Sequence, residues 1–128
     1  MPYLCYALRV SRQPVHWEEN SHSVIKGFSE DARENLGNDL RRVQEGLQPL
    51  DSKPMGAVLP GCYELRDADK DFWYRVIYTR IEGVIYVLHC FTKKTNKTPQ
   101  NDINTADKRM KDLKRRLAKE MKEKGKKR

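Results

Sequence analysis

The chain has 128 residues, enough for one domain with a modest core and too few for two. Only 38% of its residues are hydrophobic and 34% are charged, and no stretch is long and apolar enough to span a bilayer, so a small domain with a solvated surface is expected. The net charge of +8 is concentrated at one end: residues 1–88 carry 11 Lys/Arg against 13 Asp/Glu, whereas residues 89–128 carry 15 against 5. A basic final third on a slightly acidic body points to a polyanionic partner, nucleic acid ahead of an acidic protein surface or an anionic membrane.

The opening residues MPYLCYALRV lack the charged start and cleavage site of a secretory signal, so a cytoplasmic location is expected, with residues 1–12 a variable extension. Pro14 to Trp17 reads as a short extended stretch, and Ser21 or Ser23 as the cap of a brief helix. From Ser29 the pattern turns helical. Ser29 is a good N-cap, Glu30 and Asp31 suit the positive end of the helix dipole, and Leu36, Leu40, Val43 and Leu47 recur at helical spacing until Gly46 ends the run. Gln48 to Gly61, with three prolines and two glycines, reads as a surface loop.

The period then changes to that of strands, at Tyr63 to Arg66, Phe72 to Arg80 and Val84 to Phe91, with Glu82-Gly83 as a tight turn. Thr98-Pro99 opens a long amphipathic helix striped by Ile103, Ala106, Met110, Leu113, Leu117 and Met121. Residues 123–128 form a basic tail too charged to pack, expected to be disordered. The order predicts an α+β fold: an antiparallel sheet preceded by helices and followed by a long C-terminal helix.

Fixed cations stand at the strand ends. Arg66 closes YELR, Arg75 follows Trp73-Tyr74, and Lys93-Lys94 end VIYVLHCFTKK. Arginine is permanently charged and donates in a rigid fork, which suits phosphate. Cys5, Cys62 and Cys90 form neither a CxxC pair nor an even set, and His16, His22 and His89 lack ligand spacing, so no metal, disulfide framework or small-molecule cofactor is implied.

The segment WYRVIYTRIEGVIYVLHCFTKKTNKTPQNDINTADKRMKDL, preceded by GCYELR and by LGNDLRRVQEGLQPLDSKPM, resembles the phage-derived HigB-like branch of the RelE/ParE toxin superfamily from about Val15 to Leu117. The resemblance implies a compact microbial-RNase-like fold over residues 13–122 and a metal-independent messenger-RNA endonuclease acting in the ribosomal A site. It also implies a helix-turn-helix antitoxin as partner. On the matching positions, Arg75 stands where RelE-type toxins hold the scissile phosphate, Arg66 where they carry a cation, and Lys94 near a further phosphate-stabilising cation, with Lys93 beside it as a backbone contact. RelE carries a lysine where this chain has Glu64, and no tyrosine follows Tyr86 to match its C-terminal one.

Cleavage by a 2′-hydroxyl needs in-line geometry, a base, stabilisation of a dianionic phosphorane and protonation of the leaving oxygen. Arginine cannot be the base, which leaves Glu64, His89 or a lysine depressed by cationic neighbours. His89 is either the proton carrier or a satisfied core residue, since it lies within an apolar run. Trp73 either stacks on an RNA base or packs in the core, and Lys93, Lys94 and Lys97 either grip RNA phosphates or line a solvated loop. A degenerate relative that binds nucleic acid or its antitoxin without cutting is the competing function.

Overall fold

A computed structural model describes residues 12–95 and 99–126. Along the chain lie β1 (Val15–Trp17), α1 (Ser21–Lys26), α2 (Glu30–Gln44), β2 (Ser52–Pro54), β3 (Cys62–Ala68), β4 (Trp73–Ile81), β5 (Val84–Lys93) and α3 (Gln100–Lys126). The five strands form one sheet in the order β1-β5-β4-β3-β2, with α1 and α2 on one face and α3 on the other. The α+β expectation holds.

Helix α2 starts as its sequence dictates, with the Ser29 side chain accepting from the Ala32 amide at 3.3 Å. It stops at a Schellman turn. Gly46 takes φ +76°, the Leu47 amide reaches back to the Arg42 carbonyl at 2.8 Å, and Gly46 reaches Val43. Leu36, Leu40 and Val43 are buried against Leu65, Tyr74, Val76 and Tyr78, whereas Leu47, past the turn, is 50% exposed. On the opposite face Ala106, Met110 and Leu113 of α3 cover Cys62, Ile77, Tyr86, Leu88 and Phe91. The stripe outruns the sheet, leaving Met121 exposed, and the helix continues through Lys126 into the segment expected as a disordered tail.

Two elements differ from expectation. Ser52–Pro54, inside the expected loop, is an edge strand pairing antiparallel with β3; it is so short and proline-rich that its sequence carries punctuation but no alternation. Val15–Trp17 pairs parallel with β5, so the sheet is mixed rather than wholly antiparallel. Cys62 and Cys90 are buried on opposite faces, and burial pushes their thiols up to about 11 and about 12, respectively. Among the described residues no helix is long and apolar enough to cross a membrane.

The feature that positions the candidate site is a β-bulge. Ile77 faces His89, but the next residue, Tyr78, faces Val87, so Leu88 is an extra residue without a partner on β4. Up to that point Tyr86 and Leu88 face α3 while Ile85 and Val87 face α2; after it Phe91 faces α3 and Cys90 faces α2. The bulge thus inverts the alternation of the rest of β5. His89, Phe91 and Lys93 join the α3 face because of it.

Side chains from two flanking elements hold the bulge. Arg109 of α3 donates from Nη1 to the Leu88 carbonyl at 2.9 Å and from Nη2 to Asn20 Oδ1 at 3.0 Å. The Val87 carbonyl accepts from the Glu18 amide at 2.9 Å and from the Ser21 hydroxyl at 3.2 Å. Replacing Arg109 with Met removes the donor to a part-buried carbonyl, so Arg109→Met is expected to cost about 2 kcal/mol in a urea titration. A loss within error of zero would show that the bulge needs no clamp.

Candidate functional site

The α3 face of the sheet collects polar residues at the end beyond the first turns of α3. The cross-strand register sets Arg66 opposite Arg75, Arg75 opposite Phe91, and Trp73 opposite Lys93. Glu64 lies two residues before Arg66 on β3 and shares its face, since strand side chains alternate. Three cations and one carboxylate therefore meet where β3, β4 and β5 end together.

Arg75 is the centre of this group. It is 1% exposed, and its Nε lies 3.3 Å from Glu64 Oε1. Its Nη1 donates to the Tyr74 carbonyl at 2.9 Å, and its guanidinium lies 5.6 Å from the centroid of the Trp73 ring. Burial lowers its pKa, the Glu64 carboxylate opposes that, and Arg66 adds to it. An arginine stays charged through such a shift, so the site holds a fixed, desolvated guanidinium. A cavity of about 50 Å³ bounded by Asp51, Arg66, Asp67, Trp73 and Arg75 leads toward it.

Lys93 is 6% exposed. Burial draws its pKa below the ordinary lysine value, and Arg75 then Arg66 add to the shift, while Glu64 opposes it. Lys94 lies one residue past the end of β5 and is exposed. Strict alternation from Leu88 would have sent Lys94 to this face; the bulge sends Lys93 instead. Lys97, like the Thr98 of the expected cap, falls outside the described residues.

His89 is engaged on both ring nitrogens. Nε2 lies 2.7 Å from Asp102 Oδ1, and Nδ1 lies 3.3 Å from Arg109 Nη1. Arg109 can only donate, so Nδ1 is the acceptor and Nε2–H donates to Asp102, which fixes the neutral tautomer. Burial lowers the His89 pKa, partly opposed by Asp102, in keeping with a neutral ring. Stacked on Phe91 at 5.1 Å, the ring ties β5 to the first turn of α3. The sequence gives no sign of this role, because Asp102 and Arg109 are merely two charges on an amphipathic helix.

Trp73 is half-buried over Arg75, while Tyr74 and Tyr78 belong to the opposite core and Tyr86 lies beneath α3. Among the described residues no group of three His, Cys, Asp or Glu side chains has the arrangement of a metal site.

A sheet flanked by two N-terminal helices on one face and one long C-terminal helix on the other is a RelE-like fold. A solved structure of the Escherichia coli toxin RelE, a double arginine-to-alanine mutant in the free state, is similar with a TM-score of 0.55 and 19% identity. That likeness covers 76% of this chain and 95% of that one, and it concerns the fold. The family model for phage derived protein Gp49-like (DUF891) matches residues 23–111, and the chain belongs to that phage-derived family. Among curated proteins none matches the chain.

Because folding lowers the pKa of His89 below its ordinary 6.5, protonation favours the unfolded chain. Its contribution is complete above about pH 6.5 and shrinks as the pH falls through the lower, folded-state value. The loss of Tm between about pH 7.5 and pH 5 should therefore be smaller in His89→Gln than in the parent, by calorimetry. Equal losses would place the titration elsewhere.

Proposed function

We propose that the chain is the toxin of a toxin–antitoxin pair: a metal-independent endoribonuclease that cuts messenger RNA on the ribosome, stops translation and is neutralised by a helix-turn-helix antitoxin. One observation carries this reading, the convergence of Arg66, Arg75 and Lys93 around Glu64 on one strand-end face. Desolvated, preorganised cations are worth far more to a developing anion than cations in water.

In the proposed step the 2′-oxygen attacks the adjacent phosphorus while the bond from phosphorus to the 5′-oxygen breaks. The products are a 2′,3′-cyclic phosphate and a 5′-hydroxyl. Arg75 and Arg66 stabilise the dianionic phosphorane. Glu64 takes the proton of the 2′-hydroxyl, and Lys93, its ammonium made more acidic by burial and by two guanidinium neighbours, gives one to the leaving oxygen. His89 has no part in proton transfer, since both nitrogens are spent on Asp102 and Arg109. Lys94 and Lys97 contribute charge to backbone contacts outside the cluster.

The coverage of Arg75 favours a second reading. A guanidinium 1% exposed beneath a tryptophan also fits a structural ion pair, in a chain that binds nucleic acid or an antitoxin without cutting. Induced expression with primer extension on cellular transcripts separates the two. Wild type should arrest growth and produce new mRNA 5′ ends, and Arg75→Ala should lower cleavage on the order of 100-fold or more. Lys93→Arg, which keeps the charge but cannot release a proton, should cut as poorly as Lys93→Met. Growth arrest without new ends would establish the non-cutting reading, and full activity of Lys93→Arg would reduce Lys93 to a charge.

A further inference from the structure

β2 pairs with β3 as far as Ser52 opposite Leu65, and the Arg66 amide still reaches Asp51, so from Asp67 onward β3 is the bare edge of the sheet. The chain entering β2 leaves that edge toward α2: the Asp51 carbonyl accepts from the Arg66 amide at 3.1 Å, and the buried Asp39 carboxylate of α2 accepts from the amides of Leu50 at 2.9 Å and Asp51 at 3.2 Å. The gap so framed is a cavity of about 210 Å³ lined by Asn35, Asn38, Leu50, Asp51, Arg66 and Asp67, with Asp39 at its back. It shares Asp51, Arg66 and Asp67 with the smaller cavity that leads to Arg75. Arg66 points to the α3 face and Asp67 to the α2 face, so the two cavities meet around the strand edge.

We infer that this second cavity is a nucleobase subsite, and that the base it selects is guanine. The inference rests on the reading of Arg66 and Arg75 as the phosphate site: a phosphate held there puts the attached nucleoside within reach of the strand edge. The lining has the two properties that a base requires. Leu50 is 81% exposed at the lip, an apolar plate for the face of a heterocycle. The polar atoms are unspent in a particular pattern. Asp67 accepts from Asn35 Nδ2 at 3.2 Å through Oδ2, which keeps a second lone pair, while its Oδ1, and the side chain of Asn38, make no hydrogen bond among the described residues.

A carboxylate is acceptor-only and is best satisfied by two donors side by side. On the Watson–Crick edge only guanine offers that, with N1–H beside the N2 amino group; adenine and cytosine place an acceptor beside their amino group, and uracil has a single N–H between two acceptors. The acceptor on that same edge, O6, suits the donor end of an asparagine amide such as Asn38. The negative Asp67 repels an approaching phosphate, so it favours the base in this cavity and the phosphate next to Arg66 and Arg75.

The test is a calorimetric titration of the whole purified protein with the four nucleoside 3′-monophosphates and with inorganic phosphate. The parent should bind 3′-GMP ~10-fold more tightly than 3′-AMP, 3′-CMP or 3′-UMP, the discrimination of one good bidentate contact. Asp67→Asn should erase that ratio even if its lost charge strengthens every nucleotide, and Leu50→Ala, at an exposed position that leaves the fold intact, should weaken all nucleotides while leaving phosphate unchanged. Equal affinity for the four bases, or a ratio unchanged in Asp67→Asn, overturns the guanine subsite but leaves the phosphate site standing. Failure of every nucleotide and of phosphate to bind overturns both.

Discussion

The extra residue at Leu88 is the constraint on which the arrangement of this molecule depends. A strand exposes alternate side chains to opposite faces, and one added residue inverts that assignment for everything beyond it. Without the bulge, Phe91 and Lys93 would point toward α2, and an apolar ring and a cation would exchange places with Cys90 and Thr92. The cost of a bulge is a broken ladder, and here the orphaned carbonyl is returned to a partner by Arg109. The same guanidinium holds His89 and Asn20, so one side chain of α3 joins the bulge, the start of α3 and the approach to α1.

Arg75 is the second fixed point. Burying a guanidinium is unfavourable unless it is paired and hydrogen-bonded, and Glu64, the Tyr74 carbonyl and the Trp73 ring supply those partners. Lys93 brings a further cation to the same end of the sheet, at an electrostatic cost visible in its lowered pKa. A fold designed only for stability would fill this corner with apolar side chains. Perturbed charges of this kind tend to gather at functional sites, which is the physical reason for proposing phosphate chemistry at this corner.

Much of the architecture was legible in the sequence because it rests on local signals. The α2 helix announces itself by Ser29, its first-turn acids, the Leu36-Leu40-Val43 spacing and Gly46, and the β4–β5 hairpin by Glu82-Gly83. The alternation within Tyr74 to Tyr78 places Arg75 on the face of Ile77, as found. What the sequence withheld is non-local. β2 and β1 are three residues each and owe their strand character to β3 and β5. Leu88 is one apolar residue in an apolar run, so nothing local marks it as extra, and the step from Lys94 to Lys93 follows from it. The engagement of His89 depends on Asp102 and Arg109, which become its neighbours only after α3 has folded back.

The most direct test of this account is the titration of Lys93 itself, followed by NMR on protein carrying ¹³C-labelled lysine, with Lys93→Arg used to assign its resonance. The account predicts that Lys93 titrates below its ordinary value, and that Arg75→Met moves it back upward by removing a neighbouring cation. If Lys93 shows no such depression, or if Arg75→Met leaves it unchanged, the bulge does not aim β5 as described and the cation cluster does not exist.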